Sequence, residues 1–403
     1  MNILMTSQAY YPFAEKGGPV VKVRSLALGL VRLGHSVSIL TSDWGFHPEK
    51  APRVSAHKCS LGWRAEECGV TAIFLRKIGH YRNLSLNPSV LSFSWRELKR
   101  FDIVHVYGLY DLIGPSVTFF CRKNHIPYVI EPMGMFRPIV RNLRLKRIYH
   151  RLIGKPFLSA AHRMIATSEQ EQRELLNEGV PFSRIVVRRN GIEMPASFPE
   201  SGTFRREFEI PPGARVVLFL GRLEAKKSPE LLLTAFADWR KKSLVGAAAF
   251  LIIAGPEQQR GYSARLISLA SSLRIASSVR IVGPLYENRK WSAYRDADVF
   301  VLPSLNENFG NSAAEAMACG TPVIVTDQCG IASFVAGRAG LVIPHDANSL
   351  SLALSKVLDD PAACERFRSN CPAVAKSLSW DEPISQMVDV YRGALSDGSA
   401  HER

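Results

Sequence analysis

Short apolar runs alternate with longer stretches of helical periodicity along the whole of this 403-residue chain. In the first half the runs fall at residues 3–6, 36–41, 103–107, 128–131, 164–167 and 185–188. In the second half they fall at residues 216–220, 250–254, 279–282, 299–302 and 323–326. Each has the length of a buried strand and is bounded by turn-forming or polar residues. Between them lie amphipathic segments such as residues 20–33, which Gly34 ends, and another that Ser168 is placed to N-cap. Strands spaced by helices predict an α/β protein with parallel, doubly wound sheets. Ligands of such sheets sit beyond the carboxyl ends of the strands. The loops after residues 6, 106 and 130 are therefore the ones to inspect.

The alternation breaks once. Asn190-Gly191 is a turn signal, and residues 195–213 carry Pro and Gly around one short helical pattern at 204–208. The boundary is expected near residue 195, giving domains at 1–195 and 196–378. Trp380-Asp381 then opens a last helix, to about residue 395, in a final segment 379–403.

Residues 301–330 hold the densest candidate chemistry. An apolar run stops at Pro303, a polar loop follows, and from Ser312 strong helix formers continue until Gly320 supplies the C-cap. Glu307 lies on the loop, and Glu315 is expected in the first helical turn, where free N–H groups and the dipole favour an anion. A lone Glu at that place is an ordinary cap. Two carboxylates around a glycine loop also suit the hydroxyls of a sugar or ribose, beside N–H donors for phosphate. Arg222 and Lys227 lie on the loop after residue 220, next to a helix entry. An Arg fork and a Lys point charge there suit a diphosphate. Gly17-Gly18 stands between the first strand and first helix; it is either a tight turn or a place of close backbone approach. It lacks the G-x-G-x-x-G spacing of a dinucleotide site.

Composition changes the picture in three ways. With 46 % hydrophobic and 22 % charged residues the chain is globular, and no apolar run is long enough to span a bilayer. The start reads directly into a strand without a signal-peptide pattern, and the seven cysteines are scattered with no C-x-x-C. A cytoplasmic protein without disulfides or a zinc site is expected. The charge is lopsided: residues 1–195 hold 28 Lys+Arg and 14 Asp+Glu, a net +14, against 23 and 22, a net +1, in the remainder. The first half therefore meets something anionic. Residues 137–155 carry seven Lys/Arg and no acid. On a helix Arg137, Arg141, Arg144, Arg151 and Lys155 would share a band of roughly 80°. That is a solvated face, or a patch for lipid head groups or a phosphorylated acceptor; no aromatic stacking series points to nucleic acid. Asp296-Ala297-Asp298 spells D-x-D, a metal-binding pattern elsewhere, but it precedes a strand, the end away from ligands. Packing and solvation are its expected roles, and no metal is expected.

E-N-F-G-N-S-A-A-E with the trailing A-C-G-T-P-V-I resembles the E-x7-E signature of the family-4 retaining glycosyltransferases. The likeness extends over nearly the whole chain. It implies a GT-B fold, two Rossmann-like domains facing across a cleft, with the final helix crossing back onto the first domain. It implies transfer of a sugar from a UDP- or GDP-linked donor, without a cofactor, to a hydroxyl. By the resemblance Glu307 contacts the sugar and Glu315 the ribose, while Asn308, Phe309, Gly310, Asn311 and Ser312 meet the sugar and phosphates. G-R-L-x-x-x-K matches the segment that binds pyrophosphate, through Arg222 and Lys227, although Ser228 replaces the usual Gly. Gly255 and Leu285 match positions near the nucleotide, and Gly17 and Gly18 a loop at the active cleft. Family members often carry a His where this chain has Met133, and a thioether cannot donate to a sugar hydroxyl. His105, Tyr107 and Glu131 are the polar candidates near that gap on the acceptor side, with Arg137, Arg141 and Arg144 as cations for an anionic or lipid-linked acceptor, a cell-envelope precursor at the inner membrane face. A nucleotide-sugar epimerase and a non-catalytic nucleotide-sugar binder are the alternative readings.

Overall fold

The computed structural model describes the chain apart from residues 14–17, 52–53, 82–83, 110, 134–154, 196 and 401–403. It divides into two compact units, Met1–Gly191 with Trp380–Arg403, and Ile192–Ser379.

The strands of the first unit are β1 (Asn2–Thr6), β2 (Ser36–Ser42), β3 (Ser55–Cys59), β4 (Gly62–Glu67), β5 (Val70–Leu75), β6 (Gly79–Tyr81), β7 (Leu84–Leu86), β8 (Ile103–Tyr107), β9 (Tyr128–Glu131), β10 (Arg163–Ala166) and β11 (Ile185–Val187). Its helices are α1 (Gly18–Arg32), α2 (Ser89–Glu97), α3 (Ile113–Lys123), α4 (Lys155–Ser159) and α5 (Glu169–Asn177). A nine-stranded sheet runs β11-β10-β9-β8-β1-β2-β5-β4-β3, and β6 pairs with β7 as a separate hairpin. Pairing is parallel from β11 to β5 and antiparallel at the β5-β4-β3 edge. That edge departs from the purely parallel expectation. Its strands, S-A-H-K-C and G-W-R-A-E-E, carry charges and exposed positions, as edge strands do, and lack the apolar run that marks a buried one.

Alternation along each strand builds two cores, one on either face. Ile3 and Met5 of β1 join α1 and the closing helix (Asp381–Ala400), whereas Leu4 joins α2 and α3. Ile384, Met387, Tyr391 and Ala394 bury one side of the closing helix. Gly29 of α1 leaves the room that Ile384 fills. The helix runs several residues beyond 395. Ser168 caps α5 as its sequence suggests, accepting from the Glu171 N–H at 3.2 Å.

The second unit repeats the scheme with β12 (Arg215–Leu220), β13 (Ala249–Ala254), β14 (Val279–Gly283), β15 (Val299–Leu302), β16 (Val323–Thr326) and β17 (Gly340–Ile343). Its helices are α6 (Thr203–Glu207), α7 (Pro229–Lys242), α8 (Tyr262–Ser272), α9 (Glu287–Asp296), α10 (Asn311–Ala318), α11 (Ala332–Val335), α12 (Ala347–Leu358) and α13 (Pro361–Lys376). The six-stranded sheet, β14-β13-β12-β15-β16-β17, is parallel throughout. Strand order reverses at β12, with β13 on one side and β15 on the other. The helices that follow β12 and β15 therefore pack on opposite faces of the sheet, and the carboxyl ends of these two strands are where open α/β sheets bind ligands.

Candidate functional site

The chain folds so that the two loops of this switch point meet. The loop after β12, residues 221–228, closes in a tight turn at Ala225–Lys227. The loop after β15 crosses it: the Leu305 N–H donates to the Lys226 carbonyl at 2.9 Å, and Lys227 forms an ion pair with Glu307. Glu307 is fixed further by its own backbone, whose N–H donates to Gln328 and whose carbonyl accepts from Gly330. Lys227 is largely buried, and burial followed by the nearby Arg222 and Lys226 lowers its pKa to about 8. Two of the proposed active residues, 80 positions apart in sequence, thus touch. Arg222 sits on the same loop, half exposed, paired with Glu224 at 3.1 Å and reaching Gln258 at 3.5 Å. Its guanidinium stays accessible, held beside Lys227.

Ser228 stands in the N-cap position of α7 at φ +51°, a left-handed position that favours glycine. Its hydroxyl meets His345 Nε2 at 2.8 Å, a contact that glycine would not make. Gly255, at φ +146°, directly follows β13; a Cβ there would run into the Gly221 carbonyl. The loops after β12 and β13 are in fact sewn together, Leu223 N–H to the Pro256 carbonyl and Gln258 N–H to the Leu223 carbonyl.

Glu315 lies one residue farther into α10 than its sequence suggests, just past the first turn, because the helix begins at Asn311 with Gly310, at φ +111°, as N-cap. It is not a cap. Lys290 donates to it at 2.8 Å and the Tyr294 hydroxyl at 3.0 Å, both from α9. These two partners escape a reading of motifs; their only signal is a spacing of four on one helical face. Phe309 and Leu285 have buried side chains in the core, so only their backbones are available to a ligand. Asn308, Asn311 and Ser312 flank Gly310 at the helix entry.

In the first unit the acceptor-side expectations need correction. His105 and Tyr107 lie within β8 and Glu131 ends β9, rather than standing on open loops. All three are buried, at 0 %, 1 % and 0 % exposure. His105 and Tyr107 share their strand face with Ile103, toward α1 and the closing helix. Nδ1 of His105 lies 2.7 Å from the Tyr391 hydroxyl, and Glu131 is paired with Lys22 and Arg188. Burial, then Arg188 and Lys22, push the His105 pKa well below its usual value, so its ring is neutral. These groups hold the sheet to α1 and the closing helix and present no atom to a ligand. Gly18 is exposed at the start of α1. Gly17, Arg137, Arg141 and Arg144 lie outside the described residues.

The D-x-D carboxylates are occupied as the sequence suggests. Asp296 accepts from the N–H groups of Gly202, Phe204 and Arg205 at the start of α6, and Asp298 pairs with Arg205 and Arg215.

A pair of doubly wound parallel-sheet units, the second with cations and carboxylates gathered at its switch point, defines the GT-B class of glycosyltransferases. Solved structures agree on the fold. Sucrose-phosphate synthase from Thermosynechococcus elongatus superposes with a TM-score of 0.76 at 23 % identity, over 98 % of this chain and 99 % of that one. Anabaena HepE in complex with UDP and glucose gives 0.74 at 17 %, over 98 % and 100 %. Residues 16–194 match the model for Glycosyltransferase Family 4, and residues 200–373 that for Glycosyl transferases group 1. The D-inositol 3-phosphate glycosyltransferase of Nocardiopsis dassonvillei is 31 % identical over 74 % of this chain and 72 % of its own length. The D-inositol 3-phosphate glycosyltransferase 2 of Catenulispora acidiphila is 35 % identical over 61 % of this chain; the match spans 60 % of that relative. The chain belongs to the family-4, group 1 glycosyltransferases.

Proposed function

We propose that this chain moves a sugar from a nucleotide diphosphate sugar to a hydroxyl, with retention at the anomeric carbon, the donor held by the second unit. The observation that carries this reading is the Lys227–Glu307 pair at the switch point, beside the accessible Arg222. An arriving diphosphate offers Lys227 a stronger anion than Glu307. Lys227 turns to it, and the released carboxylate is free to accept from sugar hydroxyls. Glu315, held by Lys290 and Tyr294, accepts from the ribose.

As the bond from the anomeric carbon to the phosphate oxygen breaks, its electron pair stays on the diphosphate. Lys227, Arg222 and the N–H groups at the start of α10 stabilise that growing charge. The acceptor oxygen bonds to the same face of the carbon, and its proton passes to the departing phosphate. Two cations supply the charge that a divalent metal would otherwise bring.

The acceptor is read as anionic, lipid-linked or part of a cell-envelope precursor, handled by the first unit on the inner face of a membrane. The net +14 of residues 1–195 supports this, as do relatives whose names specify an inositol phosphate. Incubation with radiolabelled UDP- and GDP-sugars and candidate acceptors tests the reading. Transfer of label with retained anomeric configuration is expected. An epimerised donor, or bound but unchanged donor in the presence of every acceptor class, would replace it with an epimerase or a binder.

A further inference from the structure

In the first unit, large apolar side chains come to the surface around α2 and α3. Leu91 and Trp95 of α2 are 53 % and 67 % exposed, Phe119 of α3 is 63 %, and Leu86 of the adjoining hairpin is 47 %. They form a continuous strip. A cleft between the two helices is lined by Leu86, Val90, Leu91, Leu112 and Ile113. One turn farther, Trp95 meets Phe120 edge-on at 6.4 Å, and Phe120 meets Phe119 at 5.5 Å.

The strip has a basic border. Lys123 lies over the Trp95 ring at 5.2 Å. Arg122 follows Phe119 by three residues on α3 and so shares a helical face with it, and Lys99 lies in the short turn Leu98–Arg100 that follows α2. Residues 76–123 contain eight Lys/Arg and three acids. All three acids are engaged: Glu97 lies between Arg64 and Arg100, Asp102 accepts from the Asn2 N–H, and Asp111 caps α3 at the Gly114 N–H. The balance of this segment is therefore positive.

We propose that this α2–α3 face docks the protein onto an anionic lipid bilayer, its aromatic and aliphatic side chains entering the head-group boundary and its Lys/Arg border binding lipid phosphates. Trp is favoured at that depth because its ring is apolar on its faces and polar at N–H, and long basic side chains reach past an apolar rim to the head groups. Apolar insertion and charge attraction then reinforce one another. A protein partner would match the apolar strip equally well. An excess of cations over acids around the strip, eight against three in residues 76–123, fits a surface of uniform negative charge. The proposal builds on the membrane-borne acceptor of the functional reading but is tested without donor or acceptor.

The test is co-sedimentation of the full chain with vesicles of phosphatidylcholine alone and of phosphatidylcholine mixed with phosphatidylglycerol. The wild type should bind only the anionic vesicles and be released by salt. Trp95→Ser with Phe119→Ser should weaken that binding about tenfold or more, since two partly inserted rings are lost. These positions are exposed, so thermal unfolding should be unchanged. Brominated phosphatidylglycerol should quench tryptophan fluorescence in the wild type and less in Trp95→Phe. Wild-type affinity of the double variant, quenching unaffected by Trp95→Phe, or a wild-type dimer that the double variant dissolves, would overturn the proposal. Vesicle binding that depends on Trp95 while no sugar is transferred would leave the docking face standing and count against the functional reading alone.

Discussion

Lys227 carries the sharpest residue-scale expectations. Lys227→Ala should lower kcat roughly 10²-fold, by analogy with removal of one oxyanion donor, while changing donor affinity much less, because the charge on the diphosphate grows toward the transition state. Single-turnover kinetics with calorimetric donor binding separate the two; unchanged kcat at saturating donor would remove Lys227 from the chemistry. Its lowered pKa gives a second measurement. The ammonium must be present when the donor arrives, and it loses its proton as pH rises through about 8. Thus kcat/KM should fall above that pH, and the limb should vanish in Lys227→Ala. In kcat the limb should move to higher pH, since a bound diphosphate favours the charged form.

At the scale of elements, the site depends on loops fastened to one another. Gly255→Ala introduces a side chain where the backbone has φ +146° and the Gly221 carbonyl is in the way. A loss of about 3 kcal/mol is expected, read by denaturant unfolding; a neutral result would mean the β12 and β13 loops separate freely. Asp296 gives the complementary case. It closes the start of α6 with three backbone hydrogen bonds, so Asp296→Ala should destabilise by about 2 kcal/mol. Chelator should leave the transfer rate of the wild type unchanged. Abolition by chelator, restored by a divalent ion, would return D-x-D to consideration as a metal site.

At the scale of the whole molecule, the charge asymmetry is the property that needs an external partner. Arg141→Glu with Arg144→Glu and Arg151→Glu reverses three charges in residues 137–155. Each cation near an anionic bilayer contributes about 1 kcal/mol, screened by salt, so the variant should bind anionic vesicles at least about 10²-fold more weakly at low ionic strength. Equal vesicle binding by the variant, with slower transfer to a phosphorylated soluble acceptor, would assign that segment to the acceptor rather than the membrane. Among the described residues no helix is long and apolar enough to cross a bilayer.

Sequence alone determined the alternation of strand and helix, because buried strands and amphipathic helices write distinct periods into the chain, as residues 103–107 and 20–33 show. It also singled out Glu307, Glu315, Arg222 and Lys227 from local motifs. Three things needed tertiary structure. The contact of Lys227 with Glu307 depends on strand order, which places β15 beside β12 although two strands intervene in the chain. The partners of Glu315 come from a neighbouring helix whose charges resemble any solvated face. The burial of His105 and Glu131 is decided by Lys22, Arg188 and Tyr391, which reach them from three distant segments. A motif records what a residue can do chemically; whether it faces a ligand or a buried counter-charge is fixed by elements that pack over it from elsewhere in the chain.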